Sequence, residues 1–411
     1  MSPSPRPWLR TTALAAWCLA PLLLAVLPAA HAECPVLEQR AANAGRQQPA
    51  FAGQTRACGV RTQTTLELVV VARGLEHPWA VEPLPDGQYL VTEKPGRLRL
   101  VTADGRVLPP IAGVPTVDAR GQGGLLDVAL SPGFAADRTL FFSYTEPREG
   151  GNGTSVARAV LAPAGDALEQ VRVILRSQPS HDGTKHYGSR LAFGPDGLLY
   201  VTLGERADRG MRAHAQRRDS HLGKILRITA DGGVPPDNPQ VGVTGAAPEV
   251  WSLGHRNVQA AAFDPAGRLW AVEHGTRGGD ELNLIARGAN YGWPVAAYGE
   301  EYIGLPIGGA DTVRTGTQQP VYYWDPVIGP SGAQFYTGSA VPEWQGNLFV
   351  GSLRDMLLVR LVIEQARVVG EEHLFAARRQ RVRDVRQGPD GALYVVTDAR
   401  KGELWRITAR R

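Results

Sequence analysis

One short pattern recurs along this chain and limits what it can fold into. Leu84-Pro-Asp-Gly-Gln-Tyr-Leu-Val-Thr returns as Gly194-Pro-Asp-Gly-Leu-Leu-Tyr-Val-Thr, as Asp264-Pro-Ala-Gly-Arg-Leu-Trp-Ala-Val and as Gly388-Pro-Asp-Gly-Ala-Leu-Tyr-Val-Val. Looser copies are Ser131-Pro-Gly-Phe, leading into Arg138-Thr-Leu-Phe-Phe-Ser, and Glu343-Trp-Gln-Gly-Asn-Leu-Phe-Val-Gly. Each is a turn followed by a β-rich run. Pro fixes φ, Asp bonds its own backbone, and Gly accepts a positive φ. Six copies between about 64 and 411 give roughly 58 residues per unit, enough for four antiparallel strands with long loops. Radial packing of such units predicts an all-β, six-bladed β-propeller with four-stranded antiparallel blades, forming one domain over 64–411. Leu66–Ala72 is placed to complete the last blade against C-terminal strands. A β-sandwich with coincidental turns is the competing architecture. The 48 Gly and 31 Pro among 411 residues argue against a helical bundle.

The first 32 residues read as a signal peptide. Arg6 and Arg10 form a basic start, Thr11 to Ala30 carry no charge, and Ala30-His31-Ala32 supplies a cleavage pattern. An uncleaved anchor is the alternative, because such a run is long enough to span a bilayer. Pro21, Pro28 and the small-residue end favour cleavage, which leaves no membrane span. Location is then periplasmic or secreted, in a bacterium. Of the 44 Lys and Arg two leave with the signal, so 42 face 40 Asp and Glu. That balance offers no grip on nucleic acid. Cys18 also leaves, and the remaining pair, Cys34 and Cys58, suggests one disulfide in an exported chain. Two free thiols are the alternative. Residues 33–63 are polar and read as an N-terminal arm over the main domain.

No G-x-S-x-G elbow, H-E-x-x-H, P-loop, G-x-G-x-x-G or C-x-x-C occurs. Chemistry therefore has to come from dispersed loops. Four concentrate polar groups, three of them beside Gly: Arg120-Gly-Gln122-Gly-Gly-Leu-Leu-Asp; His186-Tyr-Gly-Ser-Arg-Leu with Leu203-Gly-Glu205; Leu253-Gly-His-Arg256-Asn257-Val-Gln259; and, without Gly, Gln380-Arg381-Val-Arg383-Asp384. Glycine beside amides and guanidinia suits close approach to a flat polar ligand. Arg256, Arg381 and Arg383 have the paired donors that clamp carboxylates, although each alone fits a salt-bridged surface role. His186 is the best single base, with Glu205 to orient it. His181, His255 and His274 compete on the same grounds, and a structural role fits any isolated His. The Gly-rich run Glu273-His-Gly275-Thr276-Arg-Gly-Gly-Asp280-Glu281, with Asn290-Tyr291-Gly-Trp-Pro beyond it, suits an oxygen-seeking cation such as Ca²⁺. A cap or salt bridge explains Asp280-Glu281 equally well.

Six strings, in order, carry a resemblance: His77-Pro-Trp-Ala, Gly121-Gln-Gly-Gly-Leu-Leu-Asp, Gly254-His-Arg-Asn, Gly278-Gly-Asp-Glu-Leu-Asn, Asn290-Tyr-Gly-Trp-Pro and Arg381-Val-Arg-Asp-Val. Together they resemble the soluble pyrroloquinoline-quinone (PQQ)-dependent aldose sugar dehydrogenases of the glucose/sorbosone dehydrogenase family, over about 74–408. The family fold is a six-bladed propeller. The resemblance implies that Gln122, Arg256, Asn257, Gln259 and Tyr302 contact the PQQ cofactor. It implies that Arg381 and Arg383 hold the PQQ carboxylates, with Arg354 where relatives often carry Lys. His186 takes the position of the proton acceptor and Glu205 that of its orienting carboxylate. Gly275 and Thr276 match carbonyls that hold the cofactor's Ca²⁺; relatives usually have Gly-Pro there, and Thr leaves the loop less rigid. Glu281 and the Tyr291 carbonyl match a second, structural Ca²⁺ site.

The implied reaction is oxidation of an aldose at C1 to an aldonolactone, with hydride passing to the quinone and electrons to an external acceptor. The chain would act as a monomer or homodimer. A lactonase- or esterase-type propeller hydrolase with an axial Ca²⁺ is the alternative, but it needs more axial Asp and Asn than this chain offers. A binding propeller without activity is a third reading, opposed by the presence of His186, Gln122, Arg381 and Arg383. Trp293, Tyr302 and Trp324 are aromatic candidates for stacking on sugar or cofactor, with core packing the competing role.

Overall fold

Turn chemistry spaces the strands. In a computed structural model that describes residues 1–4 and 34–410, the four close copies of the repeat form the same hydrogen-bonded turn. Gly87 N donates to Leu84 O (3.1 Å), Gly197 to Gly194 (2.9 Å), Gly267 to Asp264 (2.9 Å) and Gly391 to Gly388 (3.0 Å). Asp86, Asp196 and Asp390 each accept from the amide two residues on. The third copy has Ala266 at that place, and Asp264 accepts from Ala266 and Arg268 instead. At Gly197 φ is +73° and no atom lies within 4 Å of where a Cβ would sit. Backbone conformation, not space, demands glycine there.

All six copies join the first strand of a blade to its second. The first blade runs Pro78–Pro83, Tyr89–Glu93, Arg97–Val101, Val107–Pro110, and five more four-stranded antiparallel sheets follow. The first strands of those sheets are Leu125–Leu130, Leu191–Phe193, Val258–Phe263, Pro330–Phe335 and Val382–Gln387. Each first strand touches the next and the last touches the first, which closes a ring. Leu66–Leu75 completes the final blade antiparallel to Gly402–Ala409, with Leu66 opposite Ala409 and Leu75 opposite Gly402. The fold is an all-β, six-bladed propeller, and the closing strand is three residues longer than its sequence suggested.

Six apolar clusters fill the six gaps between neighbouring blades. Each fully buried Leu or Val there contributes about 1.5–3 kcal/mol. The centre of the ring is instead charged. Arg190 Nη1 lies 2.7 Å from Asp127 and 3.0 Å from Asp384. Arg386 reaches Asp127, Asp384 and Glu82 at 3.4, 3.4 and 3.5 Å. Burial pushes Glu82 up to about 7 and raises Asp127. These pairs join four of the six inner strands, and removing one partner would strand a buried charge.

Residues 35–63 run along the fourth and fifth blades. Ala57 N donates to Tyr322 Oη (2.9 Å), Val60 N to Glu371 O (2.9 Å), and Glu371 N to Cys58 O (2.8 Å). Cys34 and Cys58 are disulfide-bonded. The signal-peptide reading of residues 1–32 falls almost wholly outside the described residues. Among the described residues no helix is long and apolar enough to cross a membrane.

Candidate functional site

Antiparallel blades bring the start of each first strand and the end of each second strand to the same mouth of the ring. A cavity of about 450 Å³ opens there, lined from all six blades. First-strand starts contribute His77, Trp79, Gln122, Leu126, Tyr187, Gly188, Asn257, Gln259, Gly329, Arg381 and Arg383; second-strand ends contribute Lys94, His274, Leu353, Arg354 and Asp398. Four permanent or near-permanent cations therefore face one carboxylate. Asp398 accepts from Arg383 Nη2 (2.8 Å) and Arg381 Nη2 (3.1 Å). Burial works against its charge, but the two guanidinia hold its carboxyl well below the usual range. Burial lowers Lys94, whose Nζ donates to Ala119 O. Burial also depresses His274 to about 3, so that ring is neutral. Trp79 forms an apolar wall, with the Arg190 guanidinium 4.5 Å and the Arg383 guanidinium 5.9 Å from its ring centre.

His186 and Glu205 are not among the lining residues; His186 precedes the lining Tyr187, and its N–H is held by the lining Gln122. Glu205 sits at the end of the strand Leu199–Leu203, and its Oε2 is 3.1 Å from His186 Nδ1. With Nδ1 donating, Nε2 is left as the acceptor. Burial, then the charge of Arg256, lowers the His186 pKa; Glu205 pulls the other way. Burial alone would raise Glu205, but its bonds and charges to His186, Arg256 and the Ala207 amide keep it low.

The backbone around His186 is held by unusual means. His186 has φ +51° and Ser189 φ +87°, conformations that cost non-glycine residues energy. Gln122 Oε1 accepts from His186 N (2.8 Å). The buried guanidinium of Arg206 donates to Lys185 O (3.1 Å), Gly183 O (2.6 Å) and Asn152 Oδ1 (2.7 Å), and lies 4.1 Å from the Tyr187 ring centre. A Cβ at Gly204 would fall 2.3 Å from His186 O, so glycine lets the two loops touch.

Arg256 lies to one side. Its amide donates to Glu273 Oε2 (2.7 Å), its Nη1 to His274 O (3.0 Å), and its buried Nε has no hydrogen-bond partner. Arg256, Glu273, Gly275, Glu281 and Tyr291 line a separate hollow of about 10 Å³, room for roughly one water-sized sphere. Glu281 is pushed well above its usual range by burial and by Glu273. Asn283 Nδ2 reaches both carboxylates (3.0 and 3.3 Å), while its Oδ1 is buried without a partner. Asp280 is occupied otherwise: it accepts the amides of Gly275, Ile328 and Gly329 at 2.7–2.8 Å. Thr276 is buried, its Oγ1 donating to Glu300 O (2.5 Å). Among the described residues no three His, Cys, Asp or Glu side chains converge as a metal-ligand set.

The chain matches the family model described as Glucose / Sorbosone dehydrogenase over residues 75–406. It belongs to the glucose/sorbosone dehydrogenase family. It is an oxidoreductase. Aldose sugar dehydrogenase YliI of Escherichia coli (strain K12) is 41% identical over 350 residues, covering 84% of this chain and 94% of that one. A crystal structure of a glucose dehydrogenase is 47% identical with TM-score 0.81, covering 84% of this chain and all of that one. The PQQ-bound form of an aldose sugar dehydrogenase from Streptomyces coelicolor is 31% identical with TM-score 0.67, covering 84% and 100%.

For this member of the family, the sequence-derived residues divide by location. Gln122, Asn257, Gln259, Arg354, Arg381 and Arg383 line the main cavity; His186 lines neither space but bonds to the lining Gln122 and to Glu205; Arg256, Gly275, Glu281 and Tyr291 line the smaller hollow. Tyr302 is 69% exposed and lines a third hollow with Arg209 and Arg212, so it is not brought to the cavity. Trp293 and Trp324 are buried. Sequence reasoning did not assign Trp79, Lys94 or Asp398 to the site. Trp79 stood within a quoted string, His77-Pro-Trp-Ala. Asp398 had no motif to mark it, since its partners lie 15 and 17 residues earlier in sequence and meet it only across paired strands.

Proposed function

We propose that this chain oxidises aldose sugars at C1 to aldonolactones, using PQQ and Ca²⁺ and passing electrons to an external acceptor. The observation that carries this reading is the group Lys94, Arg354, Arg381 and Arg383 around one cavity with a single carboxylate, Asp398. PQQ is a flat tricarboxylate, and such a donor set fits it. The relative bound to PQQ supports the same choice.

When bound, PQQ would supply the two-electron acceptor for the sugar. Arg381 and Arg383 would hold its carboxylates, with Arg354 and Lys94 adding charge from the rim. Gln122, Asn257 and Gln259 would offer amides, while Arg256, which lines the smaller hollow, rests on resemblance. Tyr302 rests on resemblance alone. His186 would accept the C1 hydroxyl proton at Nε2, and the buried Glu205 would offset the charge that then forms on the ring. The Trp79 and Tyr187 walls would limit water beside the reacting carbon.

A cation fits in two places by the chemistry of the donors. Gly275 and Thr276, which follow the cavity-lining His274, would offer carbonyls, Gly275 from the smaller hollow. Glu281 and Glu273 form a buried like-charged pair that a divalent cation would relieve, with the Tyr291 carbonyl nearby. The hydrolase alternative wants axial carboxylates free for a cation, whereas Asp127 and Asp384 are paired with Arg190 and Arg386. We also propose export by cleavage after Ala32 to the periplasm or medium; the disulfide-bonded cysteines suit an oxidising compartment.

The test adds PQQ and Ca²⁺ to purified apoprotein and follows dye reduction with a panel of aldoses. Sugar-dependent reduction that needs both additions is the expected result. No reduction with any aldose, together with no absorbance or thermal shift on adding PQQ, would overturn the reading.

A further inference from the structure

The arm precedes the family region, which begins at residue 75, and within it residues 43–54 reach two loops of the fourth blade. Gln47 pairs its amide both ways with one residue: Gly299 N donates to Oε1 (2.7 Å) and Nε2 donates to Gly299 O (2.9 Å). A neighbouring strand would satisfy Gly299 in the same manner. Asp325 accepts from Asn43 N (2.8 Å) and Ala44 N (3.0 Å), and its carboxylate packs on Gly278, where a Cβ would come within 2.7 Å. Gln54, fully buried, accepts from Tyr298 Oη (2.9 Å) and donates to Pro320 O (2.9 Å).

Those two loops, 275–280 and 298–300, are pressed together backbone to backbone. A Cβ at Gly279 would meet Tyr298 O at 2.1 Å, and one at Gly299 would meet Gly278 O at 2.2 Å. Arg277 and Glu300 exchange both amide bonds at 3.0 Å, and Thr276 Oγ1 donates to Glu300 O. Whatever holds 298–300 therefore holds Gly275 and Thr276, which follow the cavity-lining His274.

We infer that residues 43–54 are a positioning brace: Gln47, with Asn43 and Gln54, fixes the 298–300 loop and through it the Gly275-Thr276 segment that follows the cavity-lining His274. The consequence for calcium rests on the function proposed above; the brace itself rests on the contacts. It also accounts for Thr276. Where a Pro would restrict the loop through its ring, this chain restricts it through the Thr276 hydroxyl, Glu300 and the arm. The remainder of the arm is anchored elsewhere. Arg40 pairs with Asp355 (2.6 Å) and Thr62 with Glu372 (2.6 Å), both on the fifth blade. A change at Arg40 thus separates bracing from general attachment.

The test compares wild type, Gln47→Ala, Gln47→Glu and Arg40→Ala as full-length mature protein. Hydrogen exchange is read at Arg277, Gly279 and Glu300, none of which touches Gln47. Losing two neutral hydrogen bonds should speed exchange at these amides roughly tenfold or more while the other blades keep their protection. Gln47→Glu keeps the acceptor for Gly299 N and sets an oxygen against Gly299 O, so it should give the same selective change if Gln47→Ala folds poorly. The Ca²⁺ concentration for half-maximal PQQ-dependent dye reduction should rise roughly tenfold in step, with turnover at saturating Ca²⁺ unchanged. Arg40→Ala should move neither reading. Unchanged exchange in both Gln47 variants, or acceleration spread evenly over all blades, would overturn the brace. If wild type shows no response to PQQ or Ca²⁺, the proposed cofactor chemistry fails, and the exchange pattern still decides the brace.

Discussion

His186 Nδ1 lies 3.1 Å from Glu205 Oε2, and both side chains are buried. Burial and Arg256 favour the neutral imidazole, and the Glu205 carboxylate is placed to offset a positive charge on it. Glu205 Oε1 is buried with no hydrogen-bond partner, so the carboxylate keeps unspent capacity to stabilise a cation beside it.

Removing the base should cost most of the rate. With PQQ, Ca²⁺ and an aldose all saturating, His186→Ala is expected to lower dye-reduction turnover about 10²–10⁴-fold. Glu205→Gln keeps an acceptor for Nδ1–H and loses only charge, so its drop should be smaller. Circular dichroism checks that both fold. An undiminished rate in His186→Ala would remove that residue from the role.

The pH profile follows from the direction of the His186 shift. Burial and Arg256 place its pKa below 6.5, and the neutral ring is the proton acceptor. The rate should stay level on acidification through 6.5 and fall only below it. Glu205 favours the protonated ring, so Glu205→Gln should move the acid limb to lower pH. Arg256→Gln removes an opposing charge and should move it to higher pH. Shifts in the same direction in both variants would contradict this assignment.

Cofactor affinity should track burial of the guanidinium. The Arg383 side chain is 14% exposed and that of Arg354 is 49% exposed. A buried charged hydrogen bond is worth about 1.5–3 kcal/mol, so Arg383→Ala should weaken PQQ binding roughly 10–150-fold. Arg354→Ala should cost under about fivefold. Titration calorimetry with PQQ distinguishes the two, and equal losses would argue against the cavity as its seat.

Calcium should stabilise the protein more as pH rises. Glu281 binds its proton more tightly when folded than when unfolded, because of burial and Glu273. Its contribution to stability is therefore present in acid and is lost as pH rises above the usual carboxylate range. A cation there favours the ionised pair and releases protons. Thermal melts with and without Ca²⁺ at pH 5 and pH 8 should show the larger gain at pH 8. Glu281→Gln should abolish that difference.

The site was legible in sequence to the extent that its residues sat beside glycine in short strings. Gln122, Asn257 and Gln259 were of this kind, Arg381 and Arg383 stood out only as closely spaced cations, and all five line the cavity. Tyr302 came from the resemblance alone, and its side chain is 69% exposed, away from the residues that line the cavity. Lys94 and Asp398 lie just past second strands, where composition says nothing about facing. Arg206 stands between Glu205 and Asp208 in sequence, which suggests a local ion pair, yet carbonyls and the Tyr187 ring receive its guanidinium.

The repeated turn is what this sequence decides unaided. Its hydrogen bonds close within four residues, so Pro, Asp and Gly at fixed spacing set it without help from the rest of the chain. Six such turns imply six sheets, and six twisted sheets with apolar faces pack radially. The contents of the cavity are another matter. His77 and Asp398 meet at 3.2 Å from opposite ends of the chain, and Gln47 grips Gly299 from a segment outside the repeats. The first contact exists because Leu66–Leu75 closes the last blade and brings the two ends of the chain together, and the second because the arm packs on the fourth blade. Only tertiary structure sets such proximity, because no local interaction spans that separation.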